Sequence, residues 1–152
     1  MSRAIIGIGL PGSGKSTDLR LLAADIGATY ICPDDIRHEV AGDAADQSRN
    51  PIVWKLAYER LRRALVNGGQ VVFDATNANG GDRRKLVAFC REHTDTVEGI
   101  WFDTSLMVCL ERNRLRPRVV PDEVIGRMYN QLKQDPPTEN EGFDLLERRT
   151  TA

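Results

Sequence analysis

The sequence predicts an α/β fold: an open sheet of four or five parallel strands with helices on both faces. Three observations carry this. Short, continuously apolar runs alternate with longer stretches of helical periodicity, the pattern of strands buried on both faces and of the helices that cross between them. A glycine-rich turn separates the first apolar run from the first helical one. The length of 152 residues, 41% of them hydrophobic and 28% charged, suits one compact domain over residues 1–152 with a core of its own.

Ala4-Ile5-Ile6-Gly7-Ile8-Gly9 reads as the first buried strand. Leu19, Leu22, Ala23 and Ile26 form the apolar stripe of a helix over residues 15–26, and Gly27 stops it. Residues 29–32 are a second short strand, ended by Pro33. Residues 43–50 form a polar connection. Pro51 opens a long helix, since proline suits a first helical turn, and Val53, Leu56, Ala57, Leu61 and Leu65 recur at helical spacing until Gly68-Gly69. Val71-Val72-Phe73 is a third buried strand, closed by Asp74. A helix over 81–93, a strand over 96–102 and a helix over 105–114 follow. Pro121-Asp122-Glu123 opens a last amphipathic helix carrying Val124, Ile125, Met128 and Leu132. The tail, residues 135–152, is polar. Its one apolar patch, Phe143, Leu145 and Leu146, either adds an edge strand or lies against the core.

A net charge of −1 gives no case for a polybasic partner binder. Arginine outnumbers lysine 17 to 4. Arginine suits bidentate contact with phosphate, although GC-rich codon usage produces the same skew. No apolar run approaches the ~20 residues that span a bilayer. The apolar start runs into Pro11-Gly12-Ser13-Gly14-Lys15, unlike a signal peptide. Cys32, Cys90 and Cys109 show neither C-x-x-C nor Cys/His ligand spacing. They are expected to be buried thiols of a cytoplasmic protein.

Gly9-Leu10-Pro11-Gly12-Ser13-Gly14-Lys15-Ser16-Thr17 matches G-x-x-x-x-G-K-[ST] between an apolar strand and an amphipathic helix. Gly9, Pro11, Gly12, Ser13 and Gly14 shape a loop whose backbone N–H groups can point at phosphate oxygens, and the helix N-terminus adds partial positive charge. Lys15 suits the β- and γ-phosphates, and the Ser16 hydroxyl suits Mg²⁺. A merely structural turn needs neither group. The absence of a guanine-reading N-K-x-D favours ATP over GTP.

Asp34-Asp35-x-Arg37 follows the second strand, at the carboxyl edge where open α/β sheets bind ligands. Asp34 suits two roles there: general base toward an attacking hydroxyl, or cap of a helix over 35–40. Arg37 falls on the same helical face as Asp34 and suits a phosphate on the acceptor. Asp74 reads as a carboxylate ordering Mg²⁺ through water, or as a turn residue. Thr76 and Asn77 are acceptor contacts or loop residues. Arg112, Arg114, Arg116 and Arg118 crowd a segment bracketed by Pro117 and Pro121. They read as a lid over 112–121 or as a solvated helix end. Arg83-Arg84-Lys85 and Arg60, Arg62 and Arg63 are phosphate contacts or surface charge.

Gly9 to Thr17, Asp34-Asp35-Ile36-Arg37, Asp74-Ala75-Thr76-Asn77, Arg112-Asn113-x-x-Arg116, and Val120-Pro121 through Arg127-Met128-Tyr129 occur in that order. Together, over residues 3–135, they resemble the 5′-hydroxyl kinase domain of phage polynucleotide kinases. The resemblance implies a P-loop kinase fold that uses ATP and Mg²⁺. It implies γ-phosphoryl transfer to the 5′-hydroxyl end of DNA or RNA, in nucleic-acid repair alongside a separate ligase or phosphatase. Lys15 and Ser16 then hold the ATP phosphates and Mg²⁺, Asp34 activates the hydroxyl, and Arg37 grips the phosphate 3′ of the acceptor nucleotide. Arg116, with Arg112 second, reaches over the transferring phosphoryl group. The chain departs from the family at Pro33, where a basic residue is usual, and in the spacing of Asp74 and Ala75. It carries no Asp-x-Asp-x-Thr motif, so no phosphatase activity is expected. A small-molecule kinase and a non-catalytic ATP-binding regulator are the rival readings. Asp34-Asp35-x-Arg37 with Thr76-Asn77 leans against the first. The joint presence of Asp34, Arg37 and Arg116 argues against the second.

Overall fold

The computed structural model describes residues 2–43, 48 and 50–151, and the side chains of all of these but Thr151. Of the expected polar connection, Ala44, Ala45, Asp46, Gln47 and Arg49 lie outside the described residues. In chain order the elements are β1 (Arg3–Gly9), α1 (Lys15–Ile26), β2 (Thr29–Ile31), α2 (Pro33–Ala41), α3 (Asn50–Val66), β3 (Gln70–Asp74), α4 (Gly80–Arg91), β4 (Val97–Thr104), α5 (Leu106–Arg114), α6 (Asp122–Gln134) and β5 (Leu145–Thr151), with a single 3₁₀ turn, Glu139–Glu141, before β5.

The five strands form one parallel sheet in the order β2-β3-β1-β4-β5. Alternation along β1 sorts the core into two layers. Ala4, Ile6 and Ile8 face Val53, Ala57, Leu61 and Leu65 of α3, Leu86 and Val87 of α4, and Ile125 and Leu132 of α6. Ile5, with Val72, Ile100 and Phe102, faces Leu19 and Ala23 of α1. Gly7 points to this second face, where a Cβ would run into the Leu19 side chain, so its missing side chain lets α1 settle on the sheet.

The tail does both things the sequence left open. Leu145–Thr151 pairs with β4 as a parallel edge strand, and Phe143 is buried in the core. Arg83 holds it there. Its guanidinium is fully buried, donating from Nε to Glu141 Oε1 at 2.9 Å, from Nη1 to the Asn77 carbonyl at 2.9 Å and from Nη2 to the Asp135 carbonyl at 2.7 Å. Arg84 pairs with Asp135 and Glu141 at 3.0 and 3.2 Å. Reading Arg83 as a surface residue, whether phosphate contact or solvated charge, is therefore corrected, whereas Arg84 stays half exposed. Helical spacing alone does not reveal that Arg83 points inward to meet acids 52 and 58 residues away.

The helix after β2 starts earlier than its apolar pattern indicates. Pro33 occupies the first turn of α2, and Cys32 is its N-cap, with no side-chain cap bond. Asp34 thus lies inside the first turn and does not cap the helix, although its negative charge complements the helix dipole.

Candidate functional site

The site lies at the carboxyl edge of the sheet, because parallel pairing brings the ends of β1, β2 and β3 together. Gly7 sits opposite Asp74, and Ile31 opposite Phe73. Three segments therefore meet there: the phosphate loop after Gly9, Asp34 at the start of α2, and the Asp74–Asn77 segment after β3.

The phosphate loop is fixed from several sides. The Gly9 N–H donates to the Thr76 carbonyl at 3.1 Å, and the Thr104 hydroxyl donates to the Ser13 carbonyl at 3.2 Å. Gly12, at φ +85°, turns its α-carbon against the Cys109 backbone, where a Cβ would collide with the carbonyl oxygen. The loop thus rests on the first turn of α5. Ser13 Oγ is buried and has no hydrogen-bond partner. Pro11 is half-buried and Thr17 is exposed at the start of α1.

Asp74 is the polar centre. Its side chain is fully buried and takes three donors: Lys15 Nζ on Oδ1 at 2.5 Å, Ser16 Oγ on Oδ2 at 2.7 Å, and the Tyr30 hydroxyl, also on Oδ2. Burial pushes this carboxyl up, but the Lys15 charge and the three hydrogen bonds outweigh burial and hold it below the ordinary aspartate range. Burial, with the Asp74 charge, pushes the Tyr30 phenol up, so at neutral pH it is a donor. Burial also raises the Cys32 thiol to about 11, so it stays protonated and inert. Tyr30 was not singled out in the sequence. Its signal, a tyrosine at the centre of a three-residue strand, acquires meaning only through pairing with β3.

Tyr30→Phe is expected to cost about 1.5–3 kcal/mol at neutral pH, the range for a hydrogen bond to a charged acceptor. Because the folded-state value of Asp74 is depressed, its contribution is present above the unfolded value near 4 and is lost as pH falls through the folded one. Without the phenol the depression shrinks. Urea titrations at pH 7 and in acid should show the variant's deficit narrowing as Asp74 protonates.

Ser16 and Asp74 offer hard oxygen donors 2.7 Å apart beside a lysine, which fits Mg²⁺ and suits neither zinc nor copper. Among the described residues no group of three His, Cys, Asp or Glu side chains gathers as a protein-only metal cage. When bound, Mg²⁺ would neutralise charge on the phosphates. Ser16 would hold it directly and Asp74 through water.

Asp34 is the second centre. Arg37 Nη1 holds its Oδ1, and Arg118 Nη1 lies 2.8 Å from its Oδ2. Arg37 is buried, at 5% exposure, and its Nε donates to Asn50 Oδ1 at 2.9 Å. The N-terminus of α3 therefore positions it. Asn77, read from sequence as an acceptor contact or a loop residue, makes a loop bond. At φ 50°, its side-chain amide donates to the Gly7 carbonyl at 2.7 Å, a bond that ties the β3 loop to β1. Thr76 is half-buried beside it.

The Arg-rich segment begins within α5 and continues as a loop to Pro121. Asn113, fully buried, closes this loop: its amide donates to the Val120 carbonyl at 2.6 Å and its carbonyl accepts from the Val120 N–H at 3.0 Å. The guanidinium of Arg112 lies over the phosphate loop, where a Cβ on Gly14 would come 3.6 Å from Nη1. Arg116 is half-buried, and its Nη1 is a buried donor without a hydrogen-bond partner. Arg114 pairs with Asp122 at 3.1 Å. Arg118, rather than Arg116 or Arg112, is the residue of this segment that reaches Asp34. Its spacing did not distinguish it from its neighbours.

A family model described as an AAA domain matches residues 5–135. The L-seryl-tRNA(Sec) kinase of Methanococcus maripaludis is 31% identical over 150 residues, a match covering 93% of this chain and 56% of that protein. A chain of the Pnkp1/Rnl/Hen1 RNA repair complex superposes with a TM-score of 0.81 at 23% identity, covering 94% of this chain and 46% of that one. A gluconokinase from Sinorhizobium meliloti superposes with a TM-score of 0.64 at 21% identity, covering 99% and 83%. The chain thus spans about half the length of the seryl-tRNA kinase and of the RNA-repair chain. No helix among the described residues is long and apolar enough to cross a membrane. With the phosphate loop, the Lys15–Ser16–Asp74 cluster and a family match running from β1 through α6, the chain belongs to the AAA-domain family and carries its phosphate loop in a P-loop kinase fold.

Proposed function

We propose that the chain is an ATP- and Mg²⁺-dependent polynucleotide 5′-hydroxyl kinase that transfers the γ-phosphoryl group of ATP to the 5′-hydroxyl end of DNA or RNA. The observation that carries this reading is the pairing of two centres at one sheet edge. A phosphate loop has its lysine and serine gathered on Asp74, and Asp34 stands beside it on a first helical turn with the buried Arg37.

Each group has a role in this reading. Gly9 to Thr17 and Arg112 cradle the nucleotide, and Lys15 and Arg116 neutralise charge on the transferring group. Arg116 Nη1, a buried donor with no partner, is suited to receive a phosphoryl oxygen. Asp34 takes the proton of the attacking hydroxyl while Arg37 and Thr76 orient the acceptor. Positioning and charge neutralisation do most of the work. Likeness to a chain of an RNA repair complex supports a repair setting with a separate ligase or phosphatase.

Incubation with γ-labelled ATP, Mg²⁺ and a 5′-hydroxyl oligonucleotide is expected to label the oligonucleotide end. An unlabelled oligonucleotide, with the label moving to another acceptor, refutes the reading. The identity to a seryl-tRNA kinase favours a second acceptor, the hydroxyl of a seryl group on tRNA. Seryl-tRNA belongs in the same assay.

A further inference from the structure

We infer that Tyr30 is a positioning residue for the metal ion: its hydroxyl holds Asp74 in place when Lys15 leaves for the phosphates, so that the freed carboxylate oxygen serves the ion. The inference rests on the nucleotide and Mg²⁺ part of the reading above and not on which acceptor is used.

Asp74 holds the two groups that the nucleotide needs. Lys15 Nζ sits on Oδ1 at 2.5 Å and Ser16 Oγ on Oδ2 at 2.7 Å. To neutralise the β- and γ-phosphates, Lys15 has to give up Oδ1. The Asp74 side chain is fully buried, so bulk water does not replace the lysine, and a buried carboxylate without a partner is unfavourable. Two outcomes remain. The carboxylate can turn about its Cβ–Cγ bond, a torsion with broad preferences, and follow the lysine. Or it can stay and offer Oδ1 to the water shell of Mg²⁺.

Tyr30 decides between them. Its hydroxyl and that of Ser16 converge on Oδ2, and a turn toward the lysine strains both bonds. Ser16 alone is a weak anchor, because its oxygen also answers to the ion. Tyr30 has no such second duty. Its backbone is fixed by pairing with β3, where it stands opposite Val72. Its ring packs against the cluster that holds Ile5, Leu19 and Val72 beneath α1. The Arg20 guanidinium, 3.3 Å from Asp35, lies over the ring, 5.4 Å from its centroid. The hydroxyl therefore keeps its place while Lys15 moves, and Oδ1 is the oxygen released. A phenylalanine would fill the same seat, but only the hydroxyl reaches the buried charge.

The test uses the full chain as wild type, Tyr30→Phe and Arg20→Met. Binding of a non-hydrolysable ATP analogue is measured by calorimetry in EDTA and in saturating Mg²⁺, at a temperature where unfolding curves show all three chains folded. In wild type the ion is expected to tighten the analogue. Tyr30→Phe should lose about 10–100-fold of that gain, the scale for removing a group that orients a metal ligand. Its affinity in EDTA should stay near wild type. With Mn²⁺ in place of Mg²⁺, its electron paramagnetic resonance spectrum should shift toward that of the free Mn²⁺–analogue complex. Arg20→Met removes the cation over the ring but leaves the hydroxyl, and should keep the gain. Loss of packing alone would weaken binding in both conditions together and leave their ratio unchanged. An equal Mg²⁺ gain in wild type and Tyr30→Phe overturns the inference and leaves the nucleotide reading standing. No Mg²⁺ gain in wild type overturns the Mg²⁺ reading and this inference with it.

Discussion

Asp34→Asn is expected to lower phosphoryl transfer by about 10²–10⁴-fold, the range for loss of a general base, while ATP-analogue binding and folding stay near wild type. Asparagine keeps the shape of the side chain and one acceptor oxygen, so Arg37 retains a partner. The amide nitrogen cannot take a proton and repels one guanidinium. That cost is small because Asp34 is 47% exposed and Arg118 can turn into solvent. The nucleotide side is untouched, since Lys15, Ser16 and Asp74 form their own cluster. Single-turnover transfer, analogue titration and denaturant unfolding separate these effects. Turnover retained at the wild-type rate would show that Asp34 is not the base.

Arg83→Met should produce the largest loss of stability, about 3–5 kcal/mol, as expected when one partner of a buried ion pair is removed. Methionine fills most of the volume but leaves Glu141, 5% exposed at its side chain, with the Arg84 guanidinium at 3.2 Å and the Thr138 N–H at 3.1 Å. It also strips a donor from the carbonyls of Asn77 and Asp135. The damage should spread in two directions: the tail loses its anchor ahead of β5, and the loop bearing Asn77, which bonds Gly7 beside the phosphate loop, loosens. Chemical denaturation should show a lowered midpoint. Adding Glu141→Leu should recover part of the loss, because an apolar pair removes the stranded charge. A single-variant deficit below about 1 kcal/mol would show that solvent reaches Glu141 and that the pair is not a closed one.

Much of the fold was legible because it depends on local pattern. The unbroken apolar runs of β1 and β3, the stripe of α1 and the stop at Gly27 follow from burial on both faces and from backbone geometry, which short windows of sequence encode. β5 was harder to read. Leu145 and Leu146 are adjacent and three charged residues follow within the next three positions, so neither alternation nor an apolar run marks the strand. It is an edge strand with a neighbour on one side, and β4 supplies the reason for its conformation. The start of α2 was misjudged by two residues because Pro33 can end a strand or open a helix equally well.

The chain by itself determined the kind of chemistry: a strand–loop–helix built to hold phosphates, with a carboxylate-arginine pair after the next strand. It could do so because each of these groups is spaced by the rise of a single local element. Only the tertiary structure decided which partners meet. Tyr30 reaches Asp74 because β2 and β3 are paired, Arg83 turns inward because the tail brings Glu141 to it, and Arg118 rather than Arg116 touches Asp34 because Asn113 folds the α5–α6 loop back on Val120. Side-chain direction and long-range contact depend on packing between segments far apart in sequence, and no local periodicity carries that information.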